Sequence, residues 1–522
     1  MTSGSCLGKH CQNGPFCSLL ILAALACIVN ITSAAFCAPI PNSDCWPTKS
    51  AFAVWLSKLG GRTSVFLPER NGDVFLAEST TMNTLKSSFP SIIVVPGTES
   101  DLRLAIKFAV RNRIRILMRC SGNDFNGRST GRGAMIIKTS RLNNVSYASE
   151  AQTVTFSAGA THADIYSALA PYGRLYVGAQ SKGVCAAGCL AGGCHSVLSR
   201  QYGLGIDSIL KIRFMLFNGT MLTLNRTSND DLFHAFLGAG QNAFGVAVSF
   251  TARTYPAPAR IYVIDALLSV LDPVAPDPDQ TWPNLMSTFF LNTTWFDSMP
   301  RELAGNINVD GGIVSIKFFY SGLNFNSAFR ALQPLLTSNY ALHVEPAANY
   351  TDMYQAVEAN TPPVSDIWAR KFITNGFVPA GDPWVLDALA TLIVKEKPRM
   401  RLRFVFGGAV AEGTIGTVPS GMRTAMYEAV FDQVWFDPAE DQERMQYVSR
   451  FLPDLYDFAV ASYSNEFTSW STLFNVPGDW KIRFFSNYDW LLEVKDKYDP
   501  CNLFTAKYGV GSDLPQATCE FE

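Results

Sequence analysis

At 522 residues the chain exceeds what one simple core organises, so two or three structural units are expected. Charged residues make up only 16%, the formal net charge is −2, and Lys and Arg cluster in nothing longer than short pairs, which excludes nucleic acid and anionic membrane surfaces as partners. The partner this composition implies is a small molecule, and 48% hydrophobic residues are ample for a large interior.

Residues 1–38 carry an early Lys9, an apolar run from Pro15 to Ile31 and a small-residue exit, SAAFCA, the pattern of a secretory signal peptide. An uncleaved anchor is the alternative, because the run approaches spanning length. With cleavage, the expected product is secreted, extracellular and free of the membrane. Sequons at Asn144, Asn218, Asn225, Asn292 and Asn349 fit a glycoprotein. Of twelve cysteines, five lie in or beside the signal and seven beyond it, too sparse for a small disulfide scaffold. Cys37 with Cys45 and Cys501 with Cys519 are possible terminal pairs.

Residues 39–88 read as an N-terminal extension holding one short helix near 49–59. From Ser91 the signals sharpen. SIIVVPG is a buried strand, Thr98 caps a helix over DLRLAIKFAVRNR, and IRILMR is a second strand, so an α/β unit begins here. No GxGxxG follows, which argues against a Rossmann site. Instead the strand enters RCSGNDFNGRSTGRG (119–133), a small-residue loop suited either to cradling a pyrophosphate with backbone amides or to an ordinary surface turn. AMIIKT and VTFSAGA continue as strands, and Thr161 caps the helix THADIYSALAPYG.

The stretch 183–207, GVCAAGCLAGGCHSVLSRQYGLGID, is too rich in glycine for a regular element and reads as backbone wrapped around a ligand. Cys185, Cys189, Cys194 and His195 lack the second close pair that structural zinc wants, so no metal is expected. Cys189 and Cys194 are either core thiols or a disulfide. No G-x-S-x-G elbow accompanies the histidines, which leaves a hydrolase unsupported. Asn218-Gly219 between apolar strands marks a hairpin. NDDLFHAFLGAG is a helix, and FGVAVSFTARTYP is a strand closing a unit over 89–258.

Proline-rich sequence from Ala257 reads as a linker into a second unit, 259–455. There, strands such as GGIVSIKFFYSG and RMRLRFVFGGAV interleave with expected helices SAFRALQPLLTS and TAMYEAVFDQVW, an antiparallel sheet covered by helices. The aromatic-rich tail, 456–522, contains a helix ended by Asp499-Pro500.

With these pieces placed, the chain resembles the FAD-linked oxidases of the vanillyl-alcohol oxidase superfamily, specifically the berberine-bridge-enzyme-like group. The matching motifs are RCSGNDFNGRSTGRG, GVCAAG (183–188), LAGGCHSVLSRQYGLGID (190–207), DLFHAFLGAGQNAFGV (231–246), SYSNE (462–466) and NYDWLLEVKDKYDPCNLF (487–504). The resemblance implies an α+β fold: a PCMH-type FAD-binding domain of two α/β subdomains, completed by the C-terminal segment, plus a substrate domain built on an antiparallel sheet.

It also implies FAD as cofactor, a small-molecule substrate and O2 as acceptor. The cofactor-binding residues it implies are Arg119, Ser121, Gly122, Asn123, Asp124, Gly183, Cys185, Gly188, Gly192, Gly193, Gly245, Val246 and Asn465. Family members often tether FAD through a His and a Cys. Asn123 occupies the His position here, leaving a single thioether through Cys185 or a noncovalent flavin. By the same similarity Tyr463 is the first expected catalytic base and Glu466 the second. The implied activity is oxidation of an alcohol, sugar or specialised metabolite by hydride transfer to flavin. The alternative, prompted by Asn123 and Cys185-Ala186-Ala187, is an inactive or flavin-free relative acting as a secreted ligand-binding protein.

Overall fold

The computed structural model describes residues 46–240, 242–269, 284–310, 313–360, 369–379, 382–396, 398–419, 421–458 and 480–514. The architecture is α+β, as expected, with three principal sheets among the described residues.

The first sheet contains β1 (Ser64–Phe66), β2 (Ile92–Val95), β3 (Ile116–Arg119) and β4 (Met135–Lys138) in the order β1-β2-β4-β3. β2, β4 and β3 run parallel, and β1 joins antiparallel. Residues read as an N-terminal extension therefore supply a strand and a helix, Pro68–Ser79, to this unit. The helix Glu99–Arg111 starts where expected, with Thr98 Oγ1 accepting from the Asp101 amide at 3.1 Å. It buries Leu102, Ile106 and Ala109 against Ile92, Val94 and Ile116, and Leu503 and Phe504 from the tail complete the same core. Each aliphatic side chain so removed from water contributes about 1.5–3 kcal/mol.

The second sheet is antiparallel: β5 (Val145–Ala148), β6 (Thr153–Ser157), β8 (Ile209–Met215), β9 (Met221–Leu224) and β10 (Val246–Arg253), in the order β5-β6-β10-β8-β9. β8 and β9 form the hairpin expected from Asn218-Gly219. A two-residue ladder, β7 (Arg174–Leu175) with β11 (Tyr255–Pro256), lies beside it.

The third sheet carries β12 (Ile261–Ser269), β13 (Leu303–Asp310), β14 (Ile313–Tyr320), β15 (Ala341–Val344), β16 (Ala348–Tyr350), β17 (Arg370–Pro379), β18 (Met400–Phe404) and β19 (Ala425–Trp435). Its order is β15-β12-β14-β13-β18-β19-β17, with β16 also on β12. Two expectations are corrected here. The proline-rich segment read as a linker holds β12 from Ile261 onward. TAMYEAVFDQVW, expected as a helix, is the strand β19. Its Ala, Met, Glu and Gln favour a helix, but pairing on both edges with β18 and β17 overrides that preference and suits Tyr427, Val430, Phe431 and Val434.

Alternation along these strands gives the third sheet two unlike faces. Met400, Leu402, Phe404, Tyr427, Ala429 and Phe431 join an apolar core under the helices Phe325–Leu336 and Pro383–Glu396. The opposite face turns Asn306, Lys371, Arg401, Arg403, Val430 and Asp432 toward the first two sheets.

Candidate functional site

A cavity of about 690 Å³ lies between the third sheet and the α/β half. Its α/β wall is built from the loop after β3, the segment 179–191 and the residues around β10's start. Arg119, Ser121, Gly122, Asn123, Asp124, Cys185, Gly188, Gly245 and Val246 all line it, which brings together most of the residues picked out in the sequence. Gly183, Gly192 and Gly193 are not among the lining residues. At Gly193 an added Cβ would meet Val418 Cγ1 at 3.2 Å, so the close approach there is to the substrate unit. Tyr463, Asn465 and Glu466 lie outside the described residues, as do Cys37, Cys45 and Cys519.

The loop after β3 is held rigidly. Arg119 donates to the carbonyls of Glu78 (2.9 Å), Ser79 (3.0 Å) and Thr80, pinning the helix Pro68–Ser79 over the loop. Burial pushes its pKa down to about 10. Asp124 accepts the Arg128 amide at 2.8 Å and pairs with that residue's guanidinium at 2.7 Å, closing the loop on itself. Asn242 adds a clamp: its Nδ2 donates to the carbonyls of Met118 (3.2 Å) and Arg128 (3.1 Å). Asn242 was not singled out in the sequence, although it sits inside the quoted motif 231–246.

These residues fit FAD. Ser129 Oγ and Arg119 Nε belong to cavity-lining residues, are buried and have no hydrogen-bond partner among the described residues. Buried donors of this kind call for an acceptor, and phosphate or ring oxygens supply one. At Gly188 an added Cβ would meet nothing within 4 Å, so the backbone there is open to a close neighbour in the cavity.

Cys185 makes a different bond from the expected thioether. Its sulfur is joined to Cys120, with Cα atoms 6.1 Å apart, linking the loop after β3 to the start of the helix Ala186–Ala191. A sulfur in that bond is not available to a flavin, so this arrangement corresponds to the noncovalent alternative. Cys189 and Cys194 form a second disulfide. His162 lies within 4.8 Å of these two sulfurs, which are bonded to each other.

The sheet wall was the part sequence reasoning missed. Arg403 Nη1 donates to Glu428 Oε2 at 3.0 Å and to His195 Nε2 at 3.2 Å, and the Glu428 side chain is fully buried. A guanidinium only donates, so His195 Nε2 is the acceptor and the ring proton falls on Nδ1. Arg401 donates from Nε to Asn308 Oδ1 at 3.2 Å, and Asp432 lies 3.2 Å from Arg399 Nε and 3.8 Å from Arg401 Nη2. The signal was present: RMRLRF places an arginine at every second position, which on a strand is one face.

Comparison with known proteins agrees with this geometry. An FAD binding domain model matches residues 90–225, and a "Berberine and berberine like" model matches 456–511. The FAD-linked oxidoreductase ZEB1 of Gibberella zeae is 27% identical over 459 residues, covering 82% of this chain and 77% of its own. The structure of the VAO-type flavoprotein MtVAO615 from Myceliophthora thermophila C1 superposes with a TM-score of 0.76 at 21% identity, covering 92% of this chain and 98% of its own. A chitooligosaccharide oxidase gives a TM-score of 0.70 at 20% identity, covering 84% and 96%. At such identities these two likenesses establish the fold.

Proposed function

Because the chain belongs to the berberine-bridge-enzyme-like group of FAD-linked oxidoreductases, we propose that it is a secreted oxidase of sugars, alcohols or specialised metabolites that passes electrons to O2. The observation that carries this reading is the cavity itself. One wall offers Ser129 Oγ, Arg119 Nε and open backbone at Gly188 to a cofactor, and the other offers a polar sheet face to a substrate. Bound FAD would supply the two-electron acceptor that protein side chains lack. The named activities of structural neighbours, a chitooligosaccharide oxidase and a xylooligosaccharide oxidase, support a carbohydrate-like substrate. The signal-like N-terminus and the exposed asparagines of three sequons, Asn144, Asn218 and Asn349, support secretion.

Removing hydride from a carbinol requires a base for the hydroxyl proton. His195 Nε2 is unsuited to that task, since it already accepts from Arg403, and its Nδ1–H is a donor. The base therefore remains assigned to the segment 462–466, Tyr463 first and Glu466 second.

The test is to express the full chain, record the visible spectrum, and measure peroxide formation with mono- and oligosaccharides and simple alcohols. A yellow protein that forms peroxide is expected. A colourless protein that FAD does not reconstitute sinks the reading. A flavin-loaded protein that reduces dyes but makes no peroxide overturns the assignment of O2.

A further inference from the structure

We infer that Lys495, a buried lysine of the C-terminal helix Tyr488–Tyr498, is a positioning residue for the flavin, its ammonium holding the turn ahead of β10 that forms part of the cofactor wall. The inference rests on FAD as the cofactor and adds a residue that is not among those lining the cavity.

The charge is deep and fully engaged. The Lys495 side chain is 2% exposed and that of Asp499 0%. Lys495 Nζ donates to Asp499 Oδ2 at 2.8 Å, to the Phe504 carbonyl at 3.0 Å and to the Ala243 carbonyl, so all three donors of an ammonium are used. Burial pushes the Lys495 pKa down, and Asp499 one helical turn on pushes it back up. Such a pair brings little net stability over apolar side chains of the same volume. What it supplies is a fixed point, and that point meets the cofactor wall at Ala243.

The turn it holds needs holding. Asn242 sits at φ +51° and Gly245 at φ +149°, and a non-glycine stays in left-handed backbone only where its surroundings impose it. Asn242 and Gly245 line the cavity, while Ala243 and Phe244 between them are fully buried. Asn242 in turn clamps the loop after β3: its Oδ1 accepts the Met118 amide at 2.5 Å, and its Nδ2 donates to the Met118 and Arg128 carbonyls. A shift of Ala243 carries Asn242 off those partners and loosens the loop that presents Arg119 and Ser129 to the cavity.

The same ammonium reaches the strand that feeds this loop. Phe504, whose carbonyl it bonds, pairs in parallel with Ile116 at the start of β3, and the Leu503 carbonyl accepts the Ile116 amide at 3.4 Å. Asp499 fixes that segment by accepting the Leu503 and Phe504 amides, each at 3.0 Å. Lys495 Nζ therefore ties together two backbone segments that enter the cofactor wall, β3 and the turn before β10.

The experiment compares flavin-loaded proteins. Lys495→Met leaves Asp499 as a buried unpaired charge and should lower the thermal midpoint; Lys495→Met with Asp499→Asn removes both charges and should restore much of it. In both, the Ala243 carbonyl loses its charged donor. Flavin release on dilution is followed by flavin fluorescence, the setting of the bound flavin by visible circular dichroism, and unfolding on heating by tryptophan fluorescence. The double variant is expected to unfold near the wild-type temperature yet release flavin about 10-fold or more faster, the weight of one hydrogen bond from a charged group, with altered visible circular dichroism. Lys497→Met, on the same helix but exposed, should change neither flavin readout. Asn242→Gly keeps left-handed backbone accessible while removing the clamp. It should show the same signature, and adding it to the double variant should speed release little further.

Wild-type release and circular dichroism in the double variant would overturn the inference, as would full additivity with Asn242→Gly. A thermal midpoint that falls in step with flavin release, or a double variant that does not fold, would also overturn it, making Lys495 a residue of stability alone. A wild-type protein without flavin is a separate failure, of the cofactor reading, and is visible before any variant is made.

Discussion

Removing the Cys120–Cys185 bond tests both the stability and the cofactor chemistry of the cavity. The bridge spans 65 residues, so in the chain-entropy account its loss releases about 4 kcal/mol of restraint on the unfolded state. The Cys189–Cys194 bridge spans 5, for which the same account gives about 2 kcal/mol. For a domain of this size these translate into falls in thermal midpoint of about 8–16 °C for Cys120→Ala with Cys185→Ala, and about 4–8 °C for Cys189→Ala with Cys194→Ala. Differential scanning fluorimetry of the flavin-loaded proteins reads both. The same bond occupies the Cys185 sulfur, so acid precipitation of the wild type, without reductant, should give a colourless pellet and a yellow supernatant. A coloured pellet, or a flavin-bearing peptide containing Cys185, would refute the reasoning, as would equal destabilisation by the two double variants.

Two further outcomes are expected. Gly188→Leu places a side chain in open cavity space, so folding should be kept while FAD binds about 5- to 150-fold more weakly, the usual 1–3 kcal/mol of overpacking. Gly245→Ala should instead impair folding, because φ is +149° and the new Cβ would meet Phe214 Cε1 at 2.6 Å and the Met215 carbonyl at 2.8 Å; fluorescence titration with FAD separates the two. His162 is fully buried, neither ring nitrogen has a hydrogen-bond partner among the described residues, and burial pushes its pKa from 6.5 down to about 3. The unfolded chain therefore binds this proton first. The stability His162 contributes is present above pH 6.5 and is lost toward pH 3, at about 1.4 kcal/mol per pH unit. Unfolding free energies from denaturant titration at pH 7 and pH 5 should differ by about 2 kcal/mol more in the wild type than in His162→Leu. An equal slope in both would exclude His162 as the source.

Local chemistry was legible wherever short-range rules decide the structure. Thr98 and Thr161 cap their helices through Asp101 and Asp164, and Asn218-Gly219 closes its hairpin, because each is settled within a few residues. Within the loop 119–133 the same holds only for its local closure, Asp124 onto Arg128 four residues on. What failed depended on partners far away in the chain. β19 has good helix formers and becomes a strand only because β17 and β18 flank it. The Arg403–Glu428–His195 group joins three separate segments, with 25 residues between Arg403 and Glu428 and 208 between Arg403 and His195, so no local pattern contains it.

The glycine-rich stretch 183–207 divides into two tasks that composition alone merged into one. Its first part meets the cavity through Val184, Cys185, Ala187, Gly188, Cys189 and Ala191. Its second part is a joint to the substrate unit. Asp207 takes a bidentate pair from Arg423, at 2.6 and 2.9 Å, just ahead of β19. Arg200 donates to the Phe406 carbonyl at 2.7 Å and lies 4.1 Å from the Phe404 ring centre, beside β18. Both arginine contacts are anchored next to the strands that present Arg401, Arg403 and Asp432 to the cavity. One continuous segment thus fixes the cofactor wall and the substrate wall relative to each other, and His195, midway along it, touches Arg403 directly. Hydride transfer needs its two partners held within contact distance. Replacing Arg423 or Arg200 is therefore expected to act on the alignment of the walls, lowering turnover more than flavin content, although neither residue lines the cavity.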